Sequence, residues 1–204
     1  MFHKLFITIM IALMCVACST TNAAFVKLRR PLNTTIGAVF SAYYDNDKAA
    51  GLKNYYCSAN LTYNGHKGTD FLAAKGTQIY SAAKGGLYYR YDNCPDQGSW
   101  TSTCGSGYGN YVKIDHENNM TDGIGEITIY GHMTKGTVPW YQSLLCGAKI
   151  GKTGNSGKST GPHLHFEIKK YGYPLDDPFA GPCGGSISFW VNQSTGVPTT
   201  ACAN

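Results

Sequence analysis

Residues 151–167 read GKTGNSGKSTGPHLHFE, and the two halves of this stretch favour different chemistries. The first half resembles a phosphate-binding loop, but that motif requires glycine at position 152, where this chain has Lys152. Gly161 and Pro162 then argue against a helix, so no row of helix amides follows to bind a phosphate. The second half, HLHFE, alternates polar and apolar residues and predicts a strand. We therefore interpret the stretch as a glycine-rich connector that leads into a strand.

The alternation in this strand predicts which residues share a face. Side chains of successive strand residues point to opposite sides, so His163, His165 and Glu167 lie on one face. Leu164 and Phe166 then face the core. Two histidines spaced about 6.6 Å apart along one strand face can share a small site. By itself, the motif is equally compatible with two exposed strand residues.

The rest of the chain is predicted to be a mainly β, single-domain antiparallel sheet with its sites on strands and in loops. Charged residues are 14% of the 204 residues, and there are 25 glycines. One alternating run places Val112 and Ile114 on one face, and another places Thr128, Tyr130 and His132 together. The segment SLLCGAKIG, residues 143–151, is ambiguous between helix and strand. The predicted strands are Thr77 to Ala82, Gly86 to Tyr91, Asn110 to His116, Glu126 to His132 and His163 to Lys169.

Residues 1–24 are predicted to be a signal peptide, because a basic start is followed by an apolar run from Leu5 to Ala17 and then by small residues. Val16-Ala17-Cys18 resembles a lipobox, in which Cys18 would carry a lipid anchor. Cleavage near Ala23 or Ala24 is the alternative. Either route predicts an exported protein of the periplasm, cell envelope or extracellular space.

Six cysteines remain beyond the signal peptide, and an even number in an exported chain indicates disulfides. No C-x-x-C spacing supports a cysteine zinc site. We favour a pair closing the loop CPDQGSWTSTC, a pair within the tail, and the remaining two together. These pairs are Cys94 with Cys104, Cys183 with Cys202, and Cys57 with Cys146. The net charge of +5 is mild and dispersed, which argues against nucleic acid and suits an anionic polymer such as a cell wall.

Two further motifs contain metal-binding side chains. GHKGTDF places His66 four residues before Asp70, about 13 Å away if extended, and its glycines allow the bend that would bring the two together. YGHMT contains His132. A catalytic zinc site needs three protein ligands and an open position, with a proton acceptor beside it. His66, Asp70 and His165 can supply the ligands, and His132 and His163 can assist.

GHKGTDF, YGHMT and GKTGNSGKSTGPHLHFE, in this order, resemble the lysostaphin/LytM-type zinc metallopeptidases, peptidase family M twenty-three. The resemblance runs from about Pro31 to Phe179. It implies an antiparallel β core of the duplicated hybrid motif type with a narrow groove and one zinc ion per chain. The implied metal ligands are His66, Asp70 and His165, and the implied catalytic residues are His132 and His163. It does not indicate which of the two catalytic histidines accepts the proton.

The predicted function is that of a secreted zinc endopeptidase, a monomer, which hydrolyses peptidoglycan cross-bridges or stem peptides. A secreted protease of glycine-rich proteins and a non-catalytic regulator of wall hydrolases are the alternatives. The peptidase domain is predicted at residues 25–182 and a disulfide-linked tail, with an extra hairpin, at residues 183–204. The segment from Tyr91 to Tyr108 looks like an insertion.

Three further residues lie in or near these motifs. Tyr130 either lines the groove or is a half-buried strand residue. Glu167 either bonds a metal ligand or forms a surface salt bridge. His116 matches no catalytic position and is interpreted as a surface residue at a strand end.

Overall fold

The computed structural model describes residues 26–33, 40–47, 49, 51–116, 126–140, 143–170, 175–193 and 198–203. The predicted signal peptide at residues 1–24, including Cys18, lies outside these residues. Within them the chain forms ten strands and one short 3-10 turn, Cys104–Gly107, which confirms the mainly β prediction. No described helix has the length and apolar character needed to cross a membrane.

Eight strands form one antiparallel sheet in the order β1-β2-β9-β6-β5-β4-β7, with β10 paired to β9. The other two, β3 and β8, form a separate antiparallel ribbon. In chain order the strands are β1 (Phe40–Ala42), β2 (Thr69–Leu72), β3 (Gln78–Tyr80), β4 (Gly85–Tyr91), β5 (Asn110–Asp115), β6 (Glu126–Met133), β7 (Ser143–Leu144), β8 (Lys149–Lys152), β9 (His163–Lys170) and β10 (Leu175–Asp176).

All five predicted strands are present, although the first is reduced to β3. The ambiguous segment 143–151 contains β7 and the start of β8, which a turn separates. Gly147 in that turn has φ +76°, a conformation that ends regular structure and favours glycine. Three short strands were not predicted, namely β1, β2 and β10, because runs of two to four residues carry little periodicity.

One face of the large sheet packs against the main core. As the alternation predicts, Leu164 and Phe166 of β9 are fully buried there, as are Val112 and Ile114 of β5. Trp190 from the C-terminal segment is buried among them, and its ring stacks at 5.6 Å on Phe166. The residues after 182 therefore complete the core. The predicted hairpin is not formed among the described residues 183–193 and 198–203, which make only isolated bridges.

Three disulfides tie the fold together, and one of the three favoured pairings is confirmed. Cys94 pairs with Cys104, as the short loop between them favours. The other two pairings were wrong. Cys57 pairs with Cys183, and Cys146 pairs with Cys202, because the C-terminal segment folds back across the core. The backbone amide of Cys183 also donates a hydrogen bond to the carbonyl of Tyr55 at 3.0 Å, and Tyr55 lies two residues before Cys57.

Candidate metal centre and its groove

The three predicted metal ligands meet at one buried point on the sheet face opposite the main core. Asp70 on β2 pairs directly with His165 on β9, so their side chains share that face. Asp70 Oδ1 lies 2.7 Å from His165 Nδ1 and 3.2 Å from His66 Nε2. His66 Nε2 and His165 Nδ1 are 3.3 Å apart. The three residues are 3%, 5% and 7% exposed, so water does not separate them.

This donor set fits a zinc ion. Zinc takes histidine nitrogens and aspartate oxygens at about 2.0–2.2 Å, and donors around one tetrahedral ion then lie about 3.4 Å apart. The observed separations of 2.7, 3.2 and 3.3 Å need only small adjustments to match. Within the described residues this is also the one cluster of three or more histidine, cysteine or acidic side chains close enough to hold a metal.

The charges of the cluster favour a cation. Burial alone would raise the pKa of Asp70, but hydrogen bonds and charge from His165 and His66 outweigh it and hold that pKa well below its ordinary value. Burial would lower the pKa of His165, but Asp70 and Glu167 raise it to about 10. Asp70 is therefore an anion, and a metal that binds here displaces a proton from His165.

Hydrogen bonds behind the cluster fix the orientation of the histidine rings. His66 Nδ1–H donates to the Tyr43 carbonyl at 2.7 Å, which leaves Nε2 for the cluster. His165 Nε2–H donates to Glu167 at 2.9 Å, which leaves Nδ1 for the cluster. Glu167 is 1% exposed and also accepts the hydroxyl of Tyr108 at 2.9 Å. Of the two interpretations of Glu167, the structure thus supports the bond to a predicted ligand.

Tyr108 was not identified from the sequence as part of the site. It lies within the predicted insertion, after the 3-10 turn, and the only local signal is its neighbouring glycines. Its hydroxyl donates a hydrogen bond to Glu167. Burial raises the pKa of Tyr108 above its ordinary range, and the charge of Glu167 is the next largest cause. The phenol is therefore a hydrogen-bond donor to the carboxylate.

His132 reaches the site because the backbone of β6 breaks its alternation. The sequence predicted His132 on the same face as Tyr130, and this was wrong. Strand β6 has one residue more than β5 at this point, a β-bulge, and His132 has φ +58°. Its ring lies 4.6 Å from that of His163. Tyr130 instead lies fully buried in the main core, where its hydroxyl accepts the Ala82 amide at 2.8 Å, and it does not line the groove.

Both remaining histidines of the site are held by a hydrogen bond from Nδ1–H to a backbone carbonyl. His132 Nδ1–H donates to the Ser156 carbonyl at 2.7 Å, and His163 Nδ1–H donates to the Gly161 carbonyl at 2.8 Å. Burial, together with the charges of His165 and His163, lowers the pKa of His132 to about 3. His132 is therefore neutral and able to accept a hydrogen bond or proton at Nε2.

His116 lies outside this site, as expected, but it is not a simple surface residue. It is half-buried, and both ring nitrogens have partners. Nδ1–H donates to the Lys84 carbonyl at 2.9 Å, and Nε2 lies 2.6 Å from the hydroxyl of Thr128. That hydroxyl lies 3.1 Å from the hydroxyl of Tyr130. Burial lowers the pKa of His116 to about 4, so the ring is neutral in this network.

The cluster opens into a groove of about 450 Å³. The loop closed by Cys94 and Cys104 forms part of the wall, held by a bond from the Ser99 amide to the Gly157 carbonyl at 3.1 Å. A Cβ at Gly98 would lie 2.6 Å from a backbone oxygen of the glycine-rich loop, so glycine permits this close approach. The lining residues are Tyr63, Gly65, His66, Lys67, Trp100, Ser106, Gly107, Tyr108, His132, Lys158, His165 and Glu167.

An antiparallel sheet that carries a buried His–Asp–His cluster, with two further histidines beside it in an open groove, defines the class of mononuclear metallopeptidases. The chain belongs to peptidase family M23, whose family model matches residues 64–177. That range contains all five predicted site residues.

Two curated relatives show what the chain is similar to. It is 35% identical over 111 residues to the peptidoglycan DD-endopeptidase ShyA of Vibrio cholerae serotype O1, which covers 54% of this chain and 22% of that protein. It is 31% identical over 115 residues to the DD-carboxypeptidase/endopeptidase Mpg of Neisseria meningitidis serogroup B, covering 56% of this chain and 22% of that one. The chain thus spans about a fifth of the length of these relatives.

Two solved structures are also similar. A zinc-containing peptidase from Vibrio cholerae is 25% identical, with a TM-score of 0.47, over 74% of this chain and 38% of that one. The catalytic domain of lysostaphin from Staphylococcus simulans is 23% identical, with a TM-score of 0.42, over 67% of this chain and 85% of that one.

Proposed function

We propose that this protein is an exported, zinc-dependent endopeptidase that hydrolyses peptide bonds of peptidoglycan. The observation that carries the proposal is the convergence of His66, Asp70 and His165 on one buried point at the base of an open groove. A non-catalytic regulator would not need this complete donor set together with two further histidines fixed beside it by backbone carbonyls.

The residues of the site would divide the reaction between them. Zinc held by His66, Asp70 and His165 would polarise the scissile carbonyl and lower the pKa of the attacking water. His163 would accept the proton of that water at Nε2, with its ring held in place by the bond from Nδ1–H to the Gly161 carbonyl at 2.8 Å. His132, neutral and fixed by Ser156, accepts a hydrogen bond at Nε2 and orients the reacting groups.

We further propose that the bond is a DD bond of the stem peptide and not a glycyl-glycine bond of a cross-bridge. The names of both relatives, ShyA and Mpg, include a DD peptidase activity, and the name of ShyA includes peptidoglycan. The predicted signal peptide and the three disulfides support action outside the cytoplasm. Lipid attachment at Cys18 would anchor the processed chain to a membrane.

The test is mass spectrometry of purified peptidoglycan after incubation with the zinc-loaded protein. New peptide termini at DD bonds are expected, and they should be absent with His165→Ala. A glycine-rich protein substrate runs in parallel. Cleavage of that protein but not of peptidoglycan would overturn the proposal in favour of a secreted protease, and no cleavage of either would favour a regulator.

A further inference from the structure

The rim of the groove is cationic. Among the described residues that line it, two charged side chains are exposed, Lys67 and Lys158. The lining carboxylate, Glu167, is buried and already bonded to His165 and Tyr108. A ligand entering the groove therefore meets positive charge at the rim, which favours an anionic group on the substrate.

Lys158 is held in place by two contacts. Its backbone amide bonds the Gly107 carbonyl at 2.8 Å. Its ammonium lies 4.9 Å from the centre of the Trp100 ring, within the range of a cation–π interaction. No acidic side chain among the described residues lies within 4 Å of this ammonium, so its donors are available to a ligand.

Trp100 is exposed at the mouth of the groove. It is 59% exposed, on the loop closed by Cys94 and Cys104, and its ring meets that of Tyr63 edge-on at 6.3 Å. An exposed tryptophan at the mouth of a groove shields one side of the ammonium from water, and this strengthens any ion pair formed on the other side. Its place above the groove is thus suited to ligand binding.

Lys158 is also close to the reacting groups. It follows Ser156 by two residues in the glycine-rich loop, and the Ser156 carbonyl orients His132. Both Lys158 and His132 line the same groove. An anionic group bound by Lys158 is therefore held in the same groove as the reacting groups.

We propose that Lys158, seated against Trp100, binds the free carboxylate of the substrate residue that supplies the amine of the scissile bond. The inference rests on the proposed function. A residue released by a carboxypeptidase carries a free carboxylate by definition, and a DD cross-link through a side-chain amine leaves the neighbouring α-carboxylate free. A glycine bridge carries no charge at that point. Lys158 accordingly selects carboxylate-bearing stem peptides over neutral bridges.

The test uses two synthetic cross-linked peptides that are identical except beside the scissile bond, where one has a free carboxylate and the other a carboxamide. Dissociation constants are measured by calorimetry, and kcat/KM is measured on the zinc-loaded protein. The wild type should prefer the acid by about fivefold in both measurements, as a partly exposed charge-assisted hydrogen bond would give. Lys158→Met should reduce this ratio to about one, mainly because the peptide with the free carboxylate binds and reacts less well.

Lys149→Met is the matched control, because Lys149 is an exposed lysine outside the groove. It should keep the wild-type ratio. Trp100→Ala should lower the ratio less than Lys158→Met does, and added salt should lower it in the wild type.

The outcomes separate the two proposals. Equal binding of acid and amide by the wild type overturns the carboxylate site, as does an unchanged ratio in Lys158→Met. If Lys67→Met loses the preference for the acid and Lys158→Met keeps it, the assignment to Lys158 is overturned. Selective binding of the acid without cleavage of either peptide would retain the site and reject the proposed reaction.

Discussion

Asp70 and His165 lie directly opposite each other on neighbouring strands, and Asp70 Oδ1 is 2.7 Å from His165 Nδ1. This cross-strand pair is the base of the metal centre, because both side chains leave the sheet on the same face. His66 reaches the pair from the turn before β2, at 3.2 Å from the carboxylate. The position of the site therefore depends on the register between β2 and β9, and a slip of one residue would place the two side chains on opposite faces.

Replacing Asp70 with Asn should abolish stable zinc binding. The amide has almost the same shape but lacks the negative charge that the two histidines now share. We expect the affinity for zinc to fall by more than about 100-fold, beyond the loss seen when an outer partner of a ligand is removed. Metal analysis after gel filtration measures this, with circular dichroism to show that the sheet remains folded. An Asp70→Asn protein that retains one zinc ion per chain would contradict the assignment of Asp70 as a ligand.

Replacing Glu167 with Gln should weaken zinc binding without removing a ligand. The carboxylate now holds the Nε2–H of His165 and so keeps Nδ1 directed at the cluster. Zinc affinity, measured by competition with a chelator, should fall about 10- to 100-fold.

Tyr108→Phe is a milder variant for comparison with Glu167→Gln. It removes the hydroxyl bond to Glu167 but leaves the bond from Glu167 to His165. Its effect on zinc affinity should be smaller. Equal affinities in wild type and Glu167→Gln would show that Glu167 does not orient the ligand.

Replacing His163 with Gln should remove most of the catalytic activity while zinc is retained. A positioned general base contributes about 10²- to 10⁴-fold to the rate, and the loss should appear in kcat. Zinc content, measured on the same sample, should stay at one ion per chain. His132→Gln should lose less, since His132 is assigned an orienting role. A larger loss in His132→Gln than in His163→Gln would reverse the two roles.

His116 should make the stability of the fold depend on pH. Its pKa is about 4 in the folded protein against an ordinary value of 6.5, so between these values the unfolded chain binds more protons. The free energy of unfolding therefore rises with pH across this window. The contribution of His116 is complete above pH 6.5 and is lost as the pH falls toward 4.

His116→Asn should flatten this dependence. Denaturant unfolding at several pH values between 4 and 7.5 measures the slope for both proteins, and the other titrating groups cancel in the difference. A variant whose slope equals that of the wild type would show that burial does not keep the ring of His116 neutral.

Much of this protein was predictable from local sequence, because strand geometry imposes a period of two on side chains wherever one face is buried. The five longer strand predictions and the placement of Leu164 and Phe166 in the core follow from that period. So does the shared face of His165 and Glu167. The Cys94–Cys104 disulfide was predictable for a related reason, since its partners are only ten residues apart.

Tertiary structure alone decided the features that depend on departures from local regularity or on distant segments. The β-bulge moves His132 from the face of Tyr130 to the site, and alternation cannot indicate it because the extra residue is defined only against β5. The pairing of Cys57 with Cys183 spans 126 residues and requires the C-terminal segment to cross the core. The meeting of Lys158 with Trp100 likewise requires two loops to pack against each other, and loop packing leaves no periodic signal in the sequence.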